Sequence, residues 1–313
     1  MCAMAYYDKE YRRRLSLGQS GNTLVLLIAI NLIVFVILAF VKVIYFLRYE
    51  DHQAALSLFD KNVLSWLTLP VDTGKLLNRP WTIITHMFVH DGVWHLLGNM
   101  LWLWFFGYIF QDLTGNRKLF PVFFYGAIAG VISLVLSFNL LPGLKEQVHV
   151  ATALGASAGI MAIAVATTMV APSYRIFPML FGGIPLWVLT SLYVIIDLAT
   201  IPYNNSGGHI AHLAGAFTGF LFMFFYRKGY DWSDWINNFF DWVNNLFNPD
   251  KPKRGINIKK ELFYKSSSAP YKKTLNITQQ RIDDILDKIN QKGYQFLTEE
   301  EKELLKKASQ EDI

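Results

Sequence analysis

The chain has 313 residues, 53% of them apolar and only 17% charged, with a mean hydropathy of +0.27. An ordinary soluble domain carries about 25% charged residues, so the composition excludes a typical soluble enzyme and equally a disordered chain. Twenty-nine basic against 24 acidic residues leave a net charge of +5, not laid out as a nucleic-acid surface, and the single cysteine, Cys2, excludes an intramolecular disulfide framework.

A membrane span needs about 20 mostly apolar residues. Six segments meet or approach that: 24–47, 93–110, 120–141, 150–171, 177–201 and 210–226. Backbone polar groups in lipid must pair within their own segment, so each is expected to be a helix. Apart from histidines, Lys42 and Asp197 are the only ionisable residues inside these windows, and both lie near a segment end. The first segment is too long for the core of a signal peptide, and no A-x-A-type cleavage site follows it. Arg12–Arg14, Arg117, Lys118, Arg175, Arg227 and Lys228 all fall on one side if the N-terminus is cytoplasmic. The expectation is an all-α membrane protein, a bundle of six transmembrane helices over 24–228 with both termini in the cytoplasm. Loops 48–92, 142–149 and 202–209 then lie on the outer side. Residues 1–23 form a cytoplasmic N-terminus.

Within loop 48–92, Phe59, Val63, Leu64, Trp66 and Leu67 predict a short amphipathic element in the outer interface, with a plain exposed loop as the alternative. After the last span, residues 229–247 read as an interfacial amphipathic helix, with Trp232, Trp235, Ile236, Phe239, Phe240, Trp242 and Val243 at helical spacing. Residues 248–276 are a basic linker. Eight Lys/Arg against two Asp/Glu over 248–275 make it a candidate for anionic lipid headgroups, with a solvated linker as the equal alternative. Residues 277–313 form a small helical module, two short helices around Lys292-Gly293.

Polar residues inside spans are costly and default to functional hypotheses. Ser157 is placed about seven residues into the fourth segment, roughly 10 Å deep. His212 lies in the first turn of the sixth segment. His95 and Asn99, four apart, share one face of the second. Three helices thus bring these residues to a similar depth. A serine hydroxyl needs a base to take its proton, and His212 can be that base. The oxyanion formed on a carbonyl needs donors, which His95 and Asn99 can supply. The set spells acyl transfer to water, that is, amide hydrolysis. His212, Gly215 and Gly219 lie at i, i+3, i+7, a small-residue stripe that would seat against Gly155, Gly159 and the alanines of the fourth segment. By itself a serine on such a helix is more often packing than nucleophile. Its joint occurrence with His212, His95 and Asn99 reverses that.

The stretches His95-Leu-Leu-Gly-Asn99, Gly155-Ala-Ser157 and Ala211-His212-Leu-Ala-Gly215-Ala-Phe-Thr-Gly219, with Thr85-His86-Met-Phe-Val-His90 before the second span, resemble the rhomboid intramembrane serine proteases over roughly residues 20–228. The resemblance implies a Ser157–His212 dyad, an oxyanion site from His95, Asn99 and the Ser157 backbone N–H, and substrates that are single transmembrane helices cut near the outer face. It implies no cofactor, no nucleic-acid partner, and a multi-pass protein of the bacterial inner membrane whose site opens outward. The tail over 277–310 resembles the module appended to some bacterial rhomboids. Two positions depart from the family pattern. Ala158 replaces the usual Gly after the serine, and Trp81 is followed by Thr82 rather than Arg, with Arg79 as the available substitute.

His86 and His90, at i, i+4, could in principle ligate a metal, but no glutamate of an H-E-x-x-H motif accompanies them. They are expected to be structural, hydrogen-bonding the outer loop to the top of the second span, and no metal is expected. His209 lies one residue off the His212 stripe and is a minor alternative as base. Asp197 could orient His212 as a third member but is read as capping polar structure at the end of its span. A flexible lid is expected over 202–208, rich in Gly and Asn. The string Gly155-Ala-Ser157-Ala-Gly159 also fits G-x-S-x-G, yet lacks the strand–turn–helix context of that elbow. A transporter lacks the expected inverted repeat. The remaining alternative is a catalytically silent rhomboid-like protein that binds transmembrane clients.

Overall fold

The computed structural model describes residues 22–176, 183–203, 205–246 and 279–308. The chain divides into two compact units, Met1–Asn248 and Pro249–Ile313. The first runs through α1 (Thr23–Arg48), α2 (His52–Asn62), β1 (Leu69–Pro70), α3 (Thr73–Asn78), α4 (Thr82–Thr85), α5 (Val93–Thr114), α6 (Asn116–Leu140), α7 (Pro142–Lys145), β2 (Thr152–Ala153), α8 (Ser157–Val170), β3 (Arg175–Ile176), β4 (Ile184–Pro185), α9 (Leu186–Thr200), α10 (Ser206–Arg227) and α11 (Ser233–Leu246). The strands form two short antiparallel ribbons, with Leu69 opposite Ala153 in one and Arg175 opposite Pro185 in the other.

Among the described residues α1, α5, α6 and α10 are long and apolar enough to cross a membrane, while α8 and α9 are apolar but only 14 and 15 residues long. The expected fourth span over 150–171 is corrected at its start. Residues 150–156 are not helical, and Ser157 is the first residue of α8. Val150–Leu154 is apolar enough to pass for helix, but Gly155 turns the backbone with φ +113°, where only glycine rests without strain. The expected fifth span over 177–201 likewise begins late, at Leu186, behind Gly183 at φ +87° and Pro185 at the helix N-cap; residues 177–182 lie outside the described residues.

The core is built around α8. Ile160, Met161, Ala162, Ile163, Ala164 and Ala166 are all almost completely buried. Gly215 and Gly219 of α10 lie flat on it: a Cβ on either would run into the carbonyl of Ala158 or Ala162. From the other side Gly159 faces Phe123 of α6, where a Cβ would stand 2.7 Å from the Phe123 carbonyl oxygen. The small residues let three backbones touch, as the expected glycine stripe requires. A polar knot closes one end of the bundle. Asn22 caps α1 by accepting from the Leu24 and Val25 amides, and the Gln111 side chain donates to Asn22 (3.1 Å) and to Asn116.

In loop 48–92 the amphipathic element is α2 followed by a turn over Leu64–Trp66, with Ala55 and Phe59 buried and Trp66 half-exposed. Past α10, the helix expected at 229–247 appears as α11. It is fastened to the start of α6 by Arg117 on Asp241 (2.5 Å) and by the edge of Phe240 on Phe120, and it leaves Trp235, Phe239 and Trp242 exposed. The basic linker 248–276 and the N-terminal residues 1–21 lie outside the described residues.

The second unit holds α12 (Gln279–Lys292) and α13 (Glu299–Ala308). Gly293, at φ +90°, ends α12, and Thr298 with Glu301 forms a reciprocal cap that starts α13. Ile282, Ile285, Leu297 and Leu304 make its small core.

Candidate active site

Three helices and one loop deliver the candidate residues to a single cavity of about 1050 Å³, lined by His95, Asn99, Gly155, Ser157, Tyr203 and His212 among others. Ser157 opens α8, so its hydroxyl and backbone amide sit at a helix N-terminus, where the unpaired N–H groups favour negative charge. His212, one turn further into α10 than expected for its first residues, reaches across the Gly215 contact. Its Nε2 lies 2.6 Å from Ser157 Oγ. Both side chains are largely shielded, and they meet because α8 and α10 touch backbone to backbone at Ala158 and Gly215.

His95 and Asn99 line the same cavity from α5. Asn99 is buried and donates one amide hydrogen to the His95 carbonyl (2.9 Å), which leaves the second for another acceptor. The His95 ring stands against Gly155: a Cβ there would lie 3.1 Å from its Nε2 and 3.8 Å from Ser157 Oγ. Nδ1 of His95 is 2.7 Å from the Asp91 carboxylate. With that nitrogen's proton committed to Asp91, Nε2 can donate only when the ring is an imidazolium. Asp91 was not singled out from the sequence; its i, i+4 spacing to His95 at the start of a helix is the signal that marks it.

The loop before Ser157 is held from below. The Gly155 amide donates to the His86 carbonyl (2.9 Å), and the β1–β2 ribbon ties 152–153 to 69–70. His86 itself is buried with its Nδ1–H on the Thr82 carbonyl (2.9 Å), so its side chain braces its own turn while its backbone braces the serine loop. His90 departs from the expected hydrogen-bonding role. Its ring is 3% exposed, both nitrogens lack a well-formed hydrogen bond among the described residues, and it packs edge-on against His95 at 5.0 Å. Burial pushes the pKa of each ring down to about 4, so both are neutral near pH 7. Arg79 is the nearby arginine in a loop whose Trp81 is followed by Thr82. Its guanidinium stacks 4.1 Å over Trp66 and donates to the Ser65 carbonyl, while Trp81 donates to the Trp66 carbonyl.

Three expectations are corrected around α9 and α10. The lid over 202–208 is shorter than expected, because Ser206, Gly207 and Gly208 form the first turn of α10, capped by Asn205 in a left-handed conformation. Gly207 is buried against Leu134 and Phe138. Tyr203, 85% exposed, remains at the cavity mouth. Asp197 does not cap the end of its helix. It is 3% exposed, and its Oδ1 lies 3.0 Å from His212 Nδ1 and 2.6 Å from His209 Nδ1. His209, three residues before His212, is on the same face rather than off it. Among the described residues Asp197, His209 and His212 are the set whose ligand atoms lie close enough to share a metal ion. Both imidazoles instead aim at one carboxylate oxygen, the pattern of two hydrogen bonds rather than of ligands spread around an ion.

Residues 77–229 match the Rhomboid domain family, and residues 269–311 match a family of unknown function, DUF6576. The chain is 22% identical over 182 residues to the rhomboid protease GlpG of Yersinia pseudotuberculosis serotype I (strain IP32953), covering 53% of this chain and 54% of that one. It is 31% identical over 91 residues to the proteins of the same name from Salmonella newport (strain SL254) and Salmonella heidelberg (strain SL476), covering 29% of this chain and 33% of each. The chain thus spans about half, or a third, of the length of these curated relatives. The region that matches the Rhomboid domain holds α5, α6, α8, α9 and α10 and each candidate residue brought to the cavity, and its similarity to the rhomboid proteases together with the long apolar helices supports an integral membrane protein.

Proposed function

We propose that this protein is an intramembrane serine endopeptidase, hydrolysing peptide bonds in or near the transmembrane helices of other membrane proteins. The observation that carries the reading is the 2.6 Å approach of Ser157 Oγ to His212 Nε2 inside a polar-lined cavity at the end of an apolar bundle. His212 takes the hydroxyl proton as Oγ attacks the carbonyl carbon, and returns it to the leaving amine. Water then releases the acyl group by the same steps in reverse order. The oxyanion is met by the Ser157 backbone N–H at the start of α8, the free hydrogen of Asn99 and the His95 ring. The chain uses α1, α5, α6, α8, α9 and α10 as six spans with both termini in the cytoplasm, and the short α8 and α9 match a cavity that admits water from the outer side. The fit with bacterial relatives supports an inner-membrane location. The aromatic face of α11 suits the cytoplasmic interface of the bilayer, and the charge of the run 248–275 suits anionic lipid headgroups there, with a solvated linker as the equal alternative. A substrate helix must unwind locally to bring its backbone to Ser157, so helix-breaking residues near the cut favour cleavage.

The test uses the full chain in liposomes and a fluorophosphonate probe that reacts with an activated serine. Labelling is expected, with a loss of more than about 100-fold in Ser157→Ala and in His212→Ala, and no change on adding a chelator. Labelling that survives Ser157→Ala refutes the assignment. A wild-type chain that does not label at all, yet retains transmembrane clients on affinity capture, supports the silent, client-binding reading instead.

A further inference from the structure

Asp197 is the one acidic residue inside the six apolar segments, and a carboxylate there is costly unless hydrogen-bonded donors surround it. α9 is otherwise a loosely covered helix. Trp187, Leu192, Ile195, Ile196 and Leu198 are all at least half-exposed, and Asp197 at 3% is among its few buried side chains. The residue is therefore turned inward against the apolar preference of its surroundings. What it meets is α10. His209 and His212, three residues apart and so on one helix face, direct both Nδ1 atoms at the same oxygen, Oδ1, at 2.6 and 3.0 Å. Thr200 of α9 stands beside the same contact, its Oγ1 3.3 Å from that same His209 nitrogen. The second carboxylate oxygen is buried with no hydrogen-bond partner among the described residues.

These contacts continue the one between Ser157 and His212. A neutral imidazole carries its proton on either nitrogen, and the hydrogen bond made by one nitrogen decides the state of the other. A carboxylate on Nδ1 holds the proton there and leaves Nε2 bare, the form that accepts from a serine hydroxyl. An imidazole with its proton on Nε2 would present a donor to a donor, and no proton could leave Oγ. Resting on the proteolytic reading given above, we infer that Asp197 is a positioning residue of the site: its carboxylate, anchored by His209, fixes His212 with the proton on Nδ1 and stabilises the imidazolium formed when Nε2 takes the proton of Ser157. Asp197 takes no proton itself. The proton moves from Oγ to Nε2 as the Oγ–carbon bond forms, then from Nε2 to the leaving nitrogen as the carbon–nitrogen bond breaks. His209 is a second positioning residue, acting only through the carboxylate. The working unit is a line of four side chains, Ser157–His212–Asp197–His209, rather than a pair.

The experiment compares fluorophosphonate labelling rates of the full chain in liposomes with the ring state of ¹⁵N-labelled histidines. Asp197→Asn keeps the shape of the side chain but lets its amide donate to Nδ1. Its labelling is expected to fall by between about 30-fold and 10 000-fold, while His212 passes at least in part to the form protonated on Nε2. His209→Gln, which keeps an N–H donor, is expected to lose less than about tenfold, and His209→Leu more than His209→Gln. A purely structural role would lower thermal stability without changing where His212 carries its proton. Asp197→Asn labelling within threefold of wild type, with the His212 ring unchanged, overturns the inference and leaves the Ser157–His212 pair standing. Undiminished labelling of Ser157→Ala overturns the proteolytic reading itself, so the two failures are distinct. Should Asp197→Asn fail to fold, the wild-type spectrum decides: His212 protonated on Nδ1 supports the inference, and His212 protonated on Nε2 overturns it.

Discussion

The wedge of α6, α8 and α10 and the layer of loops above it each supply half of the candidate site, and they are held together by opposite means. In the wedge, glycine and alanine let carbonyls and Cα atoms touch, and the Ser157–His212 hydrogen bond follows from that contact of α8 with α10. In the loop layer, between 48 and 92 and between 141 and 156, regular structure is short. Its order comes from caps, ring stacking and side chains bonded to carbonyls, such as Asn139 to Val71 and Thr85 to Leu67, and from two buried neutral histidines. The wedge sets the Ser157–His212 distance. The layer sets where the His95 ring stands relative to Ser157. The difference implies different weaknesses: added bulk should break the wedge, and added protons should break the layer.

Bulk has the larger effect. Gly215→Val places branched carbons where the Ala158 carbonyl already lies, and a backbone cannot yield as a flexible side chain can. Overpacking costs typically 1–3 kcal/mol when side chains can shift, so a loss above about 3 kcal/mol is expected, read as a collapse of the melting transition in detergent together with loss of Ser157 labelling. A Gly215→Val chain that melts within a few degrees of wild type would show that α8 and α10 are not in backbone contact.

Protons act next, and on the layer. His86 and His90 titrate near 4 in the folded chain and near 6.5 when unfolded. Above pH 6.5 both states are neutral and the rings add no pH dependence. As pH falls below 6.5 the unfolded chain takes up protons that the folded chain refuses, so stability is lost progressively down to about pH 4. The loss approaches roughly 3 kcal/mol per ring. Melting curves from pH 8 to pH 4.5 should show this fall, and it should be reduced in His90→Phe, which keeps an aromatic ring that cannot be protonated. A melting temperature flat between pH 7 and pH 5 would falsify the neutral, buried state of both rings.

The same contrast explains what could be read in advance. The wedge is periodic: Gly215 and Gly219 announce themselves by spacing, and the serine, histidine and asparagine of the family motifs sit on the helices that spacing implies. The layer is not periodic. Val150–Leu154 is apolar enough to extend a span, and only the backbone shows that Gly155 breaks it and that Ser157 begins α8 instead of lying two turns inside. Gly183 and Pro185 hide the start of α9 in the same way, although both are ordinary breakers. The part Asp197 plays is hidden for a different reason. Its role depends on how α9 is rotated against α10, and hydropathy carries no information on that angle. The Asp91–His95 and His209–His212 spacings were visible, but each acquires meaning only once a third group is placed beside it.

At the seam between the two regions the expected effect is intermediate. Gly155→Ala forces a side chain into φ +113° and sets its Cβ 3.1 Å from the His95 ring. The strained backbone costs about 1–3 kcal/mol, and the ring must also retreat from Ser157. Labelling should therefore fall further than the melting temperature alone accounts for. Equal proportional losses in Gly155→Ala and in an unrelated variant of matched stability would separate His95 from the chemistry.

The smallest effect belongs to the outer rim of the layer. Arg79 stacks 4.1 Å over Trp66 and donates to the Ser65 carbonyl at 2.9 Å, yet it does not line the cavity. A partly exposed cation–π pair contributes about 0.5–1 kcal/mol, and the hydrogen bond adds a comparable amount only where water is excluded. Arg79→Ala should lower stability by about that much and leave the labelling rate of Ser157 within twofold. Arg79→Lys should recover little, because an ammonium cannot lie flat on the indole while holding the carbonyl. A double-mutant cycle of Arg79→Ala with Trp66→Ala reads the coupling directly. A coupling near zero would mean that Trp81, through its own hydrogen bond to the Trp66 carbonyl, holds this part of the loop without the arginine.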